Sequence, residues 1–436
     1  MPDHATSTNP AVQAQLDRLA TLSPGADILG LERIVTLLAR LGDPHRAMPP
    51  VFHVAGTNGK GSTCAFLRAA IEAAGYKVHV YSSPHLVHFN ERIRIAGRLV
   101  DDATLAGLLA EVLDAADDIA PSFFEVTTAA AFLAFARHPA AATIVEVGLG
   151  GRLDATNVVA PVVTGIAALG IDHEAFLGDR LIGIAGEKAG IAKRGVPLVT
   201  MDYARPLRAR IAAVAAAAGA PVLARKRDWS SETARSTMRY TDPGFSVVTH
   251  RPRLVGAHQS RNLALAIAML RRQGALDIPE AAMRAAAEWA QWPARMQRLA
   301  PGPLVDRLPA GSAVWLDGAH NPSAAIPVAK ALRSVSQGAA TLVLGMLANK
   351  DATGVLRALA PGLRDAIAVP VPGHLHHAPD ILAGVAQSFG LAAGTAASVA
   401  DAIDRIGQTG EPRCVLVAGS LYLAGDTLRL NDQVPD

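Results

Sequence analysis

Eleven consecutive residues, His53-Val54-Ala55-Gly56-Thr57-Asn58-Gly59-Lys60-Gly61-Ser62-Thr63, have the types and spacing of a phosphate cradle. Three glycines within six positions let the backbone turn its N–H groups inward, and the positive end of a following helix favours an anion there. Lys60 is placed to reach the outer phosphates. The spacing departs from the common GxxxxGK[ST] loop, because Val54 stands where its first glycine belongs and Gly61 separates Lys60 from the first hydroxyl.

Other polar residues fall where strands are expected to end. Ser83, Glu146 and His173 offer one hydroxyl, one carboxylate and one imidazole, a set that suits a divalent ion shared with substrate phosphates and water. Each alone reads as a turn former, a sheet-edge charge or a loop histidine. An acidic residue flanked by Ile144, Val145 and Val147 is harder to set aside, since an unpaired carboxylate in a buried strand is costly and a cation offsets that cost. Lys188, in Gly186-Glu187-Lys188-Ala189-Gly190-Ile191, reads on composition alone as a solvated helix lysine. Later, Asp317-Gly318-Ala319-His320-Asn321-Pro322 brings an acid, an imidazole and an amide to a turn before a helix, able to meet a ribose, a phosphate or an amino-acid carboxylate. Gly419-Ser420-Leu421-Tyr422 is a weaker case of the same kind, and His374, His376 and His377 read as a solvated loop.

The elements that must position these groups alternate. Apolar spacing predicts helices over 27–41, 64–74, 101–117, 127–138 and 182–191, and strands over 51–55, 77–81, 143–147, 162–169 and 196–200. Residues 228–254 read as a small β excursion, followed by helices over 258–271, with Asn262 in the first turn, and 278–289. A break at Trp292-Pro293-Ala294-Arg295-Met296 divides the chain into domains 1–293 and 294–436. Beyond it strands (313–316, 341–344, 366–369, 414–417) and helices (323–335, 353–359, 380–389, 398–406) resume. Strands alternating with helices predict an α/β fold with mostly parallel sheets covered on both faces.

At 436 residues two or three domains are expected. Half the residues are hydrophobic but only 4% aromatic, so alanine and aliphatic side chains must fill the core, and the alanine-rich run 211–220 reads as helix. A net charge of +3 and no basic run interleaved with aromatics argue against nucleic acid. Two distant cysteines, a polar N-terminus and no apolar run of about 18 residues point to a cytoplasmic protein without a membrane span.

The cradle, GTNGKGS, is the form found in the Mur ligases and the folate ligases beside them. Together with Leu29-Gly30-Leu31-Glu32-Arg33, Ser82-Ser83-Pro84-His85-Leu86, Asn90-Glu91-Arg92-Ile93, residues 146–157, Asp172-His173, 187–191 and 317–322, it makes the chain resemble, over nearly its whole length, the folylpolyglutamate synthase and dihydrofolate synthase branch of the Mur ligase superfamily. The resemblance implies a P-loop-type sheet domain like the Mur ligase central domain, a smaller Rossmann-like C-terminal domain, and a reaction between them. By position it implies that Thr57, Asn58, Gly59, Lys60, Gly61, Ser62, Asn262, Arg295 and Asp317 bind ATP. Mg2+ would lie on Ser83, Glu146, His173 and a carbamylated Lys188, with a monovalent cation a further candidate. Gly30, Leu31, Glu32, Arg33, Phe123, Phe124, Glu125, Leu153, Asp154 and Ala155 would line the pterin site, and His320 and Ser420 would meet glutamate. Lys60, Lys188 and His320 are the implied catalytic residues. One departure is at 292–296, where many relatives carry a glycine and a phenylalanine around the arginine.

The implied reaction begins with a pterin carboxylate attacking the γ-phosphate of ATP. Glutamate then attacks the resulting acyl phosphate. The expected partners are small molecules, namely dihydropteroate, reduced folates and L-glutamate, handled by a monomer. Both activities are favoured over polyglutamylation alone, over a cell-wall Mur ligase, and over an inactive nucleotide-binding module.

Overall fold

The computed structural model describes residues 5–22, 29–116, 118–336 and 339–435, so Asp27 and Asp117, the outer ends of two expected helices, lie outside the described residues. The chain forms two units: one runs up to Arg253 and includes Gln259–Gln291, and the other comprises Leu254–His258 and Trp292–Pro435.

The first unit is built on eight strands: β1 (Val51–Ala55), β2 (Val78–Tyr81), β3 (Ile93–Ile95), β4 (Arg98–Leu99), β5 (Ala142–Glu146), β6 (Pro161–Ile166), β7 (Leu198–Thr200) and β8 (Val222–Ala224). Their order is β4-β3-β2-β5-β1-β6-β7-β8, parallel except for β3 and β4. Central β1 is buried at every position, as helices on both faces of a parallel sheet require. Its one ring nitrogen donor, His53, is fully buried and meets the Thr156 hydroxyl at 2.9 Å. Burial, reinforced by Lys193, lowers its pKa to about 3 and keeps it neutral.

Several helix boundaries differ from the expected ones, among them the expected 27–41 helix, which starts at Glu32, and three further shifts move site residues. The helix after β1 is Lys60–Ala73, because Gly59 (φ 84°) turns the chain directly into it and puts Lys60, Gly61 and Ser62 in the first turn. Helix Phe123–Arg137 starts four residues early, where Ser122 and Glu125 form a reciprocal capping box. Helix Ala257–Arg272 starts at Ala257, which places Asn262 in its second turn rather than its first. The alanine-rich run is helical, over Arg205–Ala218. The β excursion is an antiparallel sheet of β9 (Ser230–Thr233), β10 (Thr237–Asp242) and β11 (Phe245–His250).

The second unit carries β12 (Gln297–Arg298), β13 (Ala313–Leu316), β14 (Ala340–Leu344), β15 (Leu363–Ala368), β16 (Ala392–Thr395) and β17 (Cys414–Ala418), in the order β12-β13-β17-β14-β15-β16. All pair in parallel except β12. Its core is aliphatic and alanine-rich, with Leu332, Leu342, Leu344, Val355, Leu356 and Leu416 fully buried. No helix among the described residues is long and apolar enough to cross a membrane.

Asn431, 1% exposed, staples residues 300–305 of this unit: its Oδ1 accepts from the amides of Leu304 and Val305, each at 3.1 Å, and its Nδ2 donates to Ala300 O at 3.0 Å. Asn431→Ala leaves those groups buried without partners and is expected to destabilise the second unit by about 2–4 kcal/mol in urea unfolding.

Candidate functional site

Parallel register gathers the first group of residues. β5 and β6 flank β1, Val54 lies opposite Glu146, and Tyr81 at the end of β2 lies opposite Val145. Ser83, Glu146, the cradle and the loop carrying His173 therefore leave the sheet at the carboxyl ends of four adjacent strands, the edge where open α/β sheets bind ligands.

The cradle is shaped by its neighbour. A Cβ at Gly56 would lie 2.9 Å from Ala167 Cβ, so only glycine lets the two strand exits pass. The amides of Thr57 and Asn58 donate to Ala168 O at 2.8 and 3.1 Å, and the Thr57 hydroxyl donates to Gly170 O at 2.9 Å. These groups of Thr57 and Asn58 brace the loop. The N–H groups of Lys60, Gly61 and Ser62, in a first helical turn, have no intrahelical acceptor and carry the positive end of the helix dipole. Asn262 closes the other side: its Oδ1 lies 2.7 Å from where a Gly59 Cβ would sit, and it is held by Gln259 at 3.0 Å.

Lys60 Nζ is 3.9 Å from Glu146 Oε1, with the Glu146 side chain 5% exposed. Ser83 begins a loop folded by Glu91, whose carboxylate accepts from the amides of Leu86, Val87 and His88 at 2.7–2.8 Å. His173 takes a left-handed conformation (φ 55°) and its amide donates to Asp172 Oδ1 at 2.9 Å.

Lys188 is buried, at 5% exposure, in helix Leu181–Ala189, not solvated as composition suggests. Burial, reinforced by the charge of Lys60, draws its pKa down to about 7 against partial opposition from Asp172 and Asp154. Near neutral pH a large share of it is the unprotonated amine, the form that adds carbon dioxide. The 148–157 turn is bolted to this helix: a Cβ at Gly151 would lie 2.7 Å from Glu187 O and 3.0 Å from Lys188 Cα, and Asn157 Nδ2 donates to Gly190 O at 3.1 Å.

Among the described residues no three His, Cys, Asp or Glu side chains are grouped to hold a metal unaided. The donor set nonetheless fits a magnesium ion, which takes few protein ligands and completes its shell with phosphate and water. One buried carboxylate, an imidazole and a hydroxyl lie on one rim, and Lys188, half-neutral near pH 7, can become a fourth donor through a carbamate oxygen.

The segments expected to line a pterin site also meet. Leu31, Phe123, Phe124 and Ala155 belong to one apolar cluster. Arg33 Nε donates to Glu125 Oε2 at 3.0 Å, and the Phe124 ring sits 5.9 Å from Tyr81 and against Gly148. Gly30 and Glu32 adjoin Arg33 in sequence at the start of helix Glu32–Arg40, and Leu153, next to Asp154 in sequence, is half-buried. Asp154 is committed to its own turn, accepting from Leu149 N at 2.7 Å and Thr156 N at 3.0 Å, and burial raises its pKa.

In the second unit, β13 and β17 are parallel neighbours ending at Leu316 and Ala418, which brings Asp317 and Ser420 to one edge. Buried Asp317 accepts from Met296 N and Ala319 N, both at 2.8 Å; burial raises its pKa while Arg295 pulls it back. His320 Nδ1 contacts Gly318 O at 2.9 Å, and Ser420 caps helix Leu421–Leu430. Ala294 (φ 54°) and Met296 (φ 45°), either side of Arg295, are both left-handed, a conformation in which a glycine is at ease. His377 contacts Lys350 O at 2.9 Å and His374 stacks on Tyr422, so the histidine tract is anchored rather than freely solvated.

The Mur ligase, glutamate ligase domain profile matches residues 295–421. The folylpolyglutamate synthase of Lacticaseibacillus casei is 32% identical over 407 residues, covering 90% of this chain and 92% of that protein. The chain belongs to the folylpolyglutamate synthase/dihydrofolate synthase family. A probable bifunctional folylpolyglutamate synthase/dihydropteroate synthase of Halobacterium salinarum is 34% identical over 91% of this chain, which spans about half, 49%, of that relative's length. Among solved family structures, E. coli FolC in complex with DHPP and ADP matches with a TM-score of 0.87 at 32% identity, over 98% of both chains. A bifunctional folylpolyglutamate synthase/dihydrofolate synthase with Mn, AMPPNP and L-glutamate bound matches with 0.85 at 32%, over 97% of this chain and 98% of that one.

Two residues of this family member escaped the sequence reading as site groups. Asp172 is buried and acts on Lys188, and its only signal was adjacency to His173. Glu91, visible only within a motif, folds the Ser83 loop. Gly151→Ala must displace the Lys188 backbone, and is expected to lower kcat about a hundredfold in steady-state turnover while circular dichroism stays unchanged.

Proposed function

We propose that this family member uses ATP to join L-glutamate to dihydropteroate, giving dihydrofolate, and to the γ-carboxyl of reduced folates, through an acyl phosphate. The observation that carries the reading is the convergence of the cradle, Lys60, Glu146 and buried Lys188 on one sheet edge.

The first-turn amides of Lys60, Gly61 and Ser62 hold the triphosphate, and Lys60 neutralises charge that develops as the γ-phosphoryl group moves to the acid. Ser83, Glu146, His173 and carbamylated Lys188 would hold Mg2+, which supplies electrostatic stabilisation of the phosphates. In the first unit Asn262 is the further nucleotide residue; in the second, Arg295 and Asp317 are assigned to nucleotide and His320 and Ser420 to glutamate. The cluster joining Leu31, Phe123, Phe124 and Ala155 to the Arg33–Glu125 pair supports a pterin site, and so the dihydrofolate synthase step as well as polyglutamylation. The reading takes the enzyme as a monomer in the cytoplasm, in keeping with the absence, among the described residues, of a helix long and apolar enough to cross a membrane.

The test is phosphate release with ATP, magnesium and L-glutamate, comparing dihydropteroate, tetrahydrofolate and a muramyl precursor; turnover with the muramyl precursor alone would overturn the reading. Lys60→Ala is expected to abolish glutamate-dependent ADP release in a folded protein. Lys188→Ala should lose activity that added short carboxylates partly restore, and 13C NMR under labelled carbon dioxide should show a carbamate signal in the parent that this variant lacks.

A further inference from the structure

Asp317 and Ser420 follow the last residues of β13 and β17, whereas a depression of about 330 Å3 lies beside β14, β15 and β16 of the same sheet and is lined by neither of them. In register, Thr341 pairs with Asp365 and with Val415, and Asp365 pairs with Ala392, so these positions of β17, β14, β15 and β16 stand side by side. The hollow is lined by Thr341, Asp365, Ile367, Ala392, Arg405 and Arg413, among others.

Two of these carry unmatched polar atoms of opposite charge. Arg413, its side chain only 11% exposed, has buried Nε and Nη1 atoms with no hydrogen-bond partner, and its carboxylate neighbour is the exposed Glu411 at 3.4 Å from Nη2. Asp365 Oδ1 is likewise buried and without a partner. Leaving charged donors and acceptors desolvated and unmatched is costly, and a ligand that supplies both missing partners recovers the cost. Arg405 is different: it is satisfied by Asp401 (3.0 and 2.9 Å) and by Thr395 O (2.7 Å), so it contributes wall and charge only. The remaining surface is aliphatic, from Ile367, Ile406, Ala392 and Ala393.

We propose that this hollow is a second ligand site that takes a small aliphatic α-amino acid, its carboxylate on Arg413, its ammonium on Asp365 and its side chain on Ile367 and Ile406. A volume of 330 Å3 is at the lower end of small-molecule sites, which run from about 300 to 1,000 Å3, and admits such a ligand. Because its lining includes none of Asp317, His320 and Ser420, it is separate from the residues assigned to glutamate and does not depend on that assignment.

The test is hydrogen–deuterium exchange on the full chain with L-valine, isovalerate or inorganic phosphate as the probe, followed as a titration. L-valine is expected to protect peptides spanning 363–368 and 409–415, and Arg413→Leu and Asp365→Asn are each expected to weaken that protection about tenfold or more, as loss of one charge-assisted contact does. Asp365→Asn, nearly isosteric, keeps the test open if Arg413→Leu fails to fold. Absence of protection there, or protection unchanged by Asp365→Asn, overturns the proposal. Equal protection by isovalerate or phosphate overturns it too, because the ammonium would then have no role.

Discussion

The site of this ligase rests on a single pairing, β1 between β5 and β6. Because all three run in parallel and Val54 lies level with Glu146, the glycine-rich turn and the Glu146 carboxylate leave the sheet together. A slip of one residue would send Glu146 to the other face of its strand and separate it from Lys60, now 3.9 Å away. The full burial of β1 and β5 fixes that register, since each side chain has only one set of neighbours into which it packs.

Around this pairing the chain places charge where it is least comfortable. Lys60, Lys188, Glu146, Asp154 and Asp172 act on one another in a largely buried setting, and the result is a lysine whose amine is half-neutral near pH 7. Perturbation of this kind, in which burial and a neighbouring cation act in the same direction, is characteristic of groups held ready for chemistry. Gly151 sits tightly on the Lys188 backbone, so the main chain from which that amine extends is held by packing.

Much of this was legible in the sequence. The cradle, the alternation of strands and helices, and the rim positions of Ser83, Glu146 and His173 follow from residue type and period, because strand ends and helix starts are locally encoded. What the sequence hid was non-local. Lys188 read as a solvated helix residue because nothing in its own segment reports the turn at 148–157 that covers it. The early start of helix Phe123–Arg137 was masked by aromatic residues at its first two positions, although the Ser122 and Glu125 capping pair was present to be read. β16, an edge strand of alanine, glycine and threonine, has no apolar–polar alternation in its residue types.

The bonds from Thr57 and Asn58 to Ala168 and Gly170 join the phosphate turn to the strand exit that leads, within a few residues, to His173. The two segments are thereby one mechanical piece, and ordering either end stiffens the other. Nucleotide and metal ion should accordingly report each other's presence: whichever arrives first lowers the entropic cost for the second, and the gain is the same in either order of addition.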